Sequence, residues 1–290
     1  MNTLSAKSYT RLTLALDIIR KLTDGMLAGY HELGIIKHQI DLFDVIAVEP
    51  ASAMSIECNR DNIPCDKTNI CWQAAALLQK ECSISDNVHI SIQKNIPVMG
   101  GLAGGSTNAA TVLMLLNELW QLNLSRVRLA AMSRALGMDV PFYFFGNTAF
   151  DSESTGVFRP IATDVCFDFV LVVPPFGVST KSAYQNINYS LTAQKTADTL
   201  CLESALKTND QQSAIESIHN DFELSVFKEY PALVAIKDAM ERAGCVRAFL
   251  SGSGSTMVGI ANGKAHAASI AAILDSRYTV IPASTFSVFY

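Results

Sequence analysis

The residues best suited to chemistry lie in the run Pro97-Val98-Met99-Gly100-Gly101-Leu102-Ala103-Gly104-Gly105-Ser106-Thr107-Asn108. Four glycines and an alanine fall within six residues, after an alternating run and ahead of a helical pattern. Backbone without Cβ atoms approaches a ligand closely, and N–H groups gathered at a helix start favour an anion such as a polyphosphate. Ser106 and Thr107 add hydroxyls for a phosphate oxygen or a Mg2+ ion. No GK[ST] of a Walker loop follows, and the run is not the GxGxxG of a Rossmann strand. A turn needed only for tight packing normally uses one or two glycines.

Two other segments carry chemistry less specifically. Leu136-Gly137-Met138-Asp139-Val140-Pro141 sets an acid just past a helix-ending glycine and two residues before a proline, which holds it outside the helix. Taken alone, Asp139 reads equally as an ordinary turn or cap residue. Leu250-Ser251-Gly252-Ser253-Gly254-Ser255-Thr256 is a second small-residue loop, expected between two strands. It is either the wall of an anion site or a tight hairpin.

The frame that must hold these segments mixes strands and helices without βαβ regularity, which predicts an α+β fold. Strands are expected over 12–18 (half-buried), 33–40, 44–49, 53–58, 88–92, 142–145, 167–173 and 248–250. Helices are expected after the Thr68-Asn69 cap, from Asn108 to about Gln121, and from the Ser125 cap to Leu136. Further helices are read near 181–187, 196–207, 209–218, 231–243 and 264–275. A composition shift at 150–165 suggests domains of 1–155 and 156–290.

Bulk composition narrows the function. The chain has 290 residues, 49% of them hydrophobic, enough for one large domain or two closely packed ones. Its 22 basic and 27 acidic residues give a formal charge of −5, so nothing draws the whole chain to nucleic acid or an acidic membrane. Seven scattered cysteines without a CxxC pair read as reduced thiols in a cytoplasm. The start lacks the pattern of a signal peptide, and the longest apolar stretches are strand-sized. Lone histidines such as His219 and His266 read as surface or helix-end residues.

The glycine run, the LGMDVPF segment and the LSGSGST loop, in this order and spacing, resemble the three motifs of the GHMP kinases. Gly29-Tyr30-His31-Glu32, Lys67-Thr68-Asn69, Gly177-Val178-Ser179-Thr180, Asn220-Asp221-Phe222-Glu223 and Tyr230-Pro231 extend the similarity nearly end to end. They point to the branch that phosphorylates a cytidine-diphosphate-linked methylerythritol. The resemblance implies a ribosomal-protein-S5-like N-terminal domain, a ferredoxin-like C-terminal domain, ATP at residues 97–107 and Mg2+ accompanying it near Ser106 and Thr107. It implies Asp139 as the base for the substrate hydroxyl, and Asn69 and Lys94 near the adenosine. Tyr30 and His31 match residues that stack on and hydrogen-bond the cytosine. Tyr184 is read as the opposite face of that clamp, and Thr13 and Thr180 as further substrate contacts.

The chain departs from the family pattern at identifiable places. The first motif, roughly AKxNLxLxI, appears as Thr10-Arg11-Leu12-Thr13-Leu14-Ala15-Leu16-Asp17-Ile18, with Arg11 for the catalytic lysine and Thr13 for asparagine. Arginine keeps the charge that neutralises a transferring phosphoryl, in a bulkier forked form. Lys7 is the alternative lysine, and choosing it needs a gap before the strand. Ser154-Thr155-Gly156-Val157-Phe158 replaces a TGRGE-like turn, and Ser255 stands where proline is usual. The alternative readings are a paralogous kinase for another small alcohol and a nucleotide-binding protein without phosphotransfer.

Overall fold

The computed structural model describes residues 3–24, 28–152, 157–192, 196–274 and 276–286. Its first elements are β1 (Leu4–Lys21), β2 (His31–Ala51), β3 (Ser55–Cys58), α1 (Ile70–Cys82), β4 (Asn87–Gln93), α2 (Gly104–Leu119) and α3 (Arg126–Ser133). A 3₁₀ helix (Val140–Phe144), β5 (Thr148–Asp151), β6 (Phe158–Pro160), β7 (Asp168–Val173), α4 (Thr180–Gln185), α5 (Thr196–Lys207) and α6 (Gln211–Glu216) follow. The chain then forms β8 (His219–Asn220), α7 (Glu223–Glu229), α8 (Pro231–Arg242), β9 (Arg247–Leu250), β10 (Met257–Ala261), α9 (Lys264–Ile273) and β11 (Thr279–Ser284). The mixed α+β class is as expected. Ser154, Thr155 and Gly156, and with them the 155/156 boundary, lie outside the described residues.

The chain forms two compact units. The first comprises Met1–Thr10, Leu42–Pro97 and Ala103–Gly146. Its sheet pairs the end of β2 antiparallel with β4, from Val45↔Gln93 to Ala51↔Asn87, and β3 parallel with β4. Asn69 caps α1 as expected, its side chain accepting from Cys71 N at 2.8 Å. Helices α1 and α2 pack together through small buried faces that include Ala74, Ala75, Ala109 and Ala110. The predicted strand 142–145 is instead the 3₁₀ helix. Pro141 at its first turn presets φ, and Phe142, Tyr143 and Phe144 are all buried.

The second unit comprises Arg11–Asp41, Val98–Leu102 and Asn147–Tyr290. Four strands in the order β11-β7-β10-β9 make an antiparallel sheet covered by α8 and α9. Here β1 pairs parallel with β8, Leu16 opposite Asn220, and β2 pairs antiparallel with β5. The strand expected to be half-buried is buried on both faces. Leu16 and Ile18 join a cluster with Val170, Val172, Leu250 and Met257. On the other face Asp17 accepts from Thr199 Oγ1 of α5 at 2.6 Å and meets His219 Nε2 at 2.9 Å.

His219 is therefore not a surface residue. Its Nδ1 meets the Ser217 carbonyl at 3.1 Å, an acceptor only, while Nε2 faces the Asp17 carboxylate. Burial disfavours the imidazolium, but these acceptors outweigh it and raise the pKa. His38 is the opposite case. It is fully buried between the Thr148 and Thr285 hydroxyls, each 2.9 Å away, and burial pushes its pKa down to about 4. The unfolded chain protonates this ring below its ordinary 6.5, while the folded chain resists until about 4. Its contribution to stability is therefore full above 6.5 and is lost as pH falls toward 4, a change of about 3 kcal/mol. Denaturant midpoints measured across that window are expected to fall in the native protein, and to fall less in His38→Gln.

Candidate active site

In the first unit the glycine run enters α2. Ala103 caps the helix with φ 50° and ψ 31°, a left-handed conformation that costs a non-glycine residue roughly 1 kcal/mol. Two of its glycines are there for different reasons. A Cβ on Gly104 would lie 2.7 Å from Lys94 Nζ, so packing excludes one. A Cβ on Gly105 would meet nothing nearer than Ile70 Cγ2 at 3.6 Å. Packing therefore permits alanine at 105, and glycine there leaves the helix start bare.

Lys94 is 5% exposed, and its ammonium donates to Asp44 Oδ2 at 2.5 Å. The other Asp44 oxygen accepts from Asn95 N and Ile96 N. Asn69 Nδ2 donates to the Pro64 carbonyl at 2.7 Å, so both ends of that amide are engaged within the protein. Thr107, expected beside Mg2+, is buried, and its hydroxyl donates to Tyr9 O at 2.8 Å and accepts from Ser8 Oγ at 3.1 Å. That commitment removes it as a metal ligand, and half-buried Ser106 is the hydroxyl of the pair that fits the role. Among the described residues no cluster of His, Cys, Asp or Glu forms a metal site of its own. Asp139 is half-buried at the N-cap of the 3₁₀ helix, and its side chain makes no capping bond. Tyr143 of that helix reaches the Ala103 carbonyl at 3.5 Å, tying the Asp139 segment to the start of α2.

In the second unit the glycine segment and the 251–256 loop lie against Arg11. Its Nη1 donates to Thr13 Oγ1 at 3.1 Å and to Gly101 O at 3.3 Å. Thr13, read as a substrate contact, is 1% exposed and is instead a support for Arg11. The two departures from the family's first motif are thus one arrangement, a fork and its acceptor. Met99 and Gly101 have positive φ, 60° and 74°. A Cβ on Gly101 would sit 2.5 Å from Ser251 O, and one on Gly100 would sit 2.6 Å from Thr256 Oγ1. The second small-residue loop is therefore a wall against which the glycine segment turns. Pro97, Val98 and Met99 precede that turn, Val98 and Met99 exposed, and Leu102 is buried beneath it. Thr180 meets the same wall through Ser253 Oγ at 2.9 Å, and Gly177 lies against Met99.

Also in the second unit, the His31 ring stacks on Tyr184 with centroids 4.1 Å apart and planes 12° from parallel. That spacing leaves no room for a base between these two rings. Tyr30, the residue before His31 in the chain, is 53% exposed. Tyr189 completes the group, its hydroxyl 2.7 Å from His31 Nε2 and its plane 9° from the imidazole. Burial and the nearby Lys21 charge lower the His31 pKa, so the ring is neutral near pH 7. Sequence reasoning missed Tyr189, whose Asn-Ile-Asn-Tyr-Ser surroundings carry no motif.

The bare helix start and half-buried carboxylate of the first unit, and the buried guanidinium of the second, are residue types that phosphotransfer uses. The family models for the N-terminal and C-terminal domains of GHMP kinases match residues 69–147 and 202–280. The chain belongs to the GHMP kinases and is an ATP-dependent small-molecule kinase. A relative from Shouchella clausii, 38% identical over 88% of this chain and 85% of its own length, is named 4-diphosphocytidyl-2-C-methyl-D-erythritol kinase. One of the same name from Gloeobacter violaceus is 34% identical over 94% of this chain and 91% of its own. A crystal structure of 4-(cytidine 5'-diphospho)-2C-methyl-D-erythritol kinase superposes with a TM-score of 0.81 at 25% identity, covering 98% of this chain and 100% of that one. Homoserine kinase from Cytophaga hutchinsonii shares the fold, with a TM-score of 0.73 at 14% identity over 99% of this chain and 95% of that one. Among the described residues no helix is long and apolar enough to cross a membrane.

Proposed function

We propose that the protein transfers the γ-phosphoryl group of ATP to the 2-hydroxyl of 4-diphosphocytidyl-2-C-methyl-D-erythritol, in non-mevalonate isoprenoid precursor synthesis. The observation that carries the substrate is the aromatic group of Tyr30, His31 and Tyr184, a flat polar-edged surface suited to a pyrimidine. Relatives at 34–38% identity bear that substrate in their names. Residues 97–107 hold the nucleotide, with the N–H groups at the start of α2 taking phosphate charge. Asn69 and Lys94 shape the nucleotide wall from beneath, since their polar ends are engaged within the protein. Ser106 is the protein hydroxyl that would face a Mg2+ ion bound with ATP, which would supply neutralisation of the phosphate charge.

Asp139 accepts the proton of the attacking hydroxyl and Arg11 stabilises the charge on the transferring phosphoryl. Thr13 and Thr180 orient this machinery, Thr13 through Arg11 and Thr180 through Ser253. The span 1–155 is read as the nucleotide domain and 156–290 as the substrate domain, with Tyr30 and His31 of the first span serving the substrate in this reading. Seven free thiols support a cytoplasmic location.

The test is ADP release by purified protein with Mg2+ and ATP, with and without 4-diphosphocytidyl-2-C-methyl-D-erythritol. Release that depends on that substrate supports the reading. Release only with other alcohols, or none with ATP still bound, overturns it. Gly105→Ala probes the nucleotide side. A helical glycine replaced by alanine gains roughly 0.5–1 kcal/mol, so the variant should melt no lower than the native protein. Its KM for ATP should nevertheless rise about tenfold, because a methyl group then stands where phosphate approaches. An unchanged KM would free Gly105 from any nucleotide role.

A further inference from the structure

The motif Asn220-Asp221-Phe222-Glu223 has no place in the reading above, yet its side chains are largely buried and their polar atoms reach specific partners. We infer that Asn220 is a positioning residue for phosphoryl transfer, acting through the 251–256 loop on Gly101 and Arg11. The inference rests on the proposed roles of those two residues.

The motif first binds to the strand that carries Arg11 and Thr13. Asn220 pairs in register with Leu16, Asp221 N donates to Leu16 O at 3.0 Å, and Ile18 N donates to Asp221 Oδ2 at 2.8 Å. From that strand edge Asn220 reaches across to the loop. Its Nδ2 donates to Leu250 O at 2.7 Å and to Gly252 O at 2.8 Å, while its Oδ1 accepts from Phe222 N at 3.0 Å. The amide orientation is thus defined, since a flip would set oxygen against two carbonyls. Glu223 Oε1 accepts from Leu250 N at 2.9 Å and Oε2 pairs with Lys237 at 2.8 Å. Leu250, where the loop begins, is therefore held at both its N–H and its carbonyl.

What Asn220 holds bears directly on the site. A Cβ on Gly252 would lie 3.4 Å from Gly101 O and 3.9 Å from both Arg11 Nη1 and Thr13 Oγ1. Thr256 N donates to Gly100 O at 3.3 Å. The close packing lies on the other side of the contact between Gly252 and Gly101, where a Cβ on Gly101 would meet Ser251 O at 2.5 Å and Gly254 O at 2.8 Å, so a shift of the loop is passed to Gly101 and, through its carbonyl, to the guanidinium. Asn220 itself is 6% exposed and acts through this wall.

The test is Asn220→Asp, which keeps the acceptor for Phe222 N but sets a carboxylate against the Leu250 and Gly252 carbonyls. Misplacement of this order lowers kcat by about 100-fold, with KM for the cytidine substrate held within about threefold. Hydrogen exchange at the Gly254 and Thr256 amides should quicken at least about tenfold, while Val258 and Ile260 in β10 keep native rates. A folded variant with native kcat, a loss confined to KM, or unchanged exchange at those two amides would each overturn the inference. Where thermal melting shows that Asn220→Asp does not fold, Asn220→Ser, which cannot span to both carbonyls, is judged by the same three readouts. Asp139→Asn assayed in parallel separates the two levels. Full activity there removes the reading of the site itself. A native rate in folded Asn220→Asp beside an inactive Asp139→Asn removes the role of Asn220 alone.

Discussion

Asp139→Asn is expected to lose phosphoryl transfer by about 10²–10⁴-fold while binding ATP within about threefold of the native protein. An alcohol at neutral pH is a poor nucleophile, and its proton must leave as the new P–O bond forms. A carboxamide keeps the size of the carboxylate but not its basicity. The substitution should also spare the fold. The segment is held by Pro141 and by buried Phe142, Tyr143 and Phe144, and the carboxamide keeps the size of the side chain. Single-turnover ADP formation, calorimetric titration of ATP and a thermal melt together separate chemistry from binding and from stability. Retained turnover would take Asp139 out of the mechanism.

The second large effect concerns Arg11. Arg11→Lys restores the family's residue, yet activity should fall by about 10–100-fold. The guanidinium is 6% exposed, with Nη1 shared between Thr13 Oγ1 and Gly101 O. A lysine stem stops short of the Thr13 and Gly101 oxygens that Nη1 reaches, and in the proposed mechanism a charge displaced from there would stabilise the transferring phosphoryl less. The double variant Arg11→Lys with Thr13→Asn rebuilds the family pattern at both positions. It should recover more activity than the two single effects predict by addition, as expected for groups in direct contact. The measurement is kcat for the native protein, both single variants and the double. A faster Arg11→Lys enzyme would mean that the pocket never adapted to arginine.

What could be read in the chain was what depends on near neighbours. The Asn69 and Ser125 caps act over a few residues and appear where the sequence puts them, whereas α2 starts at Gly104, four residues ahead of the expected Asn108, and Pro141 opens a 3₁₀ helix where a strand was expected. Order and spacing of three short motifs were likewise enough to place the chain among the GHMP kinases. The sequence did not carry which polar groups are already engaged. Thr107 reads as a metal hydroxyl until Ser8 and Tyr9 are brought to it, and Thr13 as a substrate contact until it is seen beneath Arg11. His219 meets Asp17, 202 residues away in the chain, and so becomes a buried pair instead of a surface ring. Asn220 finds the carbonyls of Leu250 and Gly252 only because β8 is fixed to β1. Local propensity selects elements within a few residues. A hydrogen bond between residues far apart in the chain exists only after packing has brought its ends together, so the tertiary structure alone decided the pairing of Arg11 with Gly101, Thr107 with Ser8, His219 with Asp17, and Asn220 with Leu250 and Gly252.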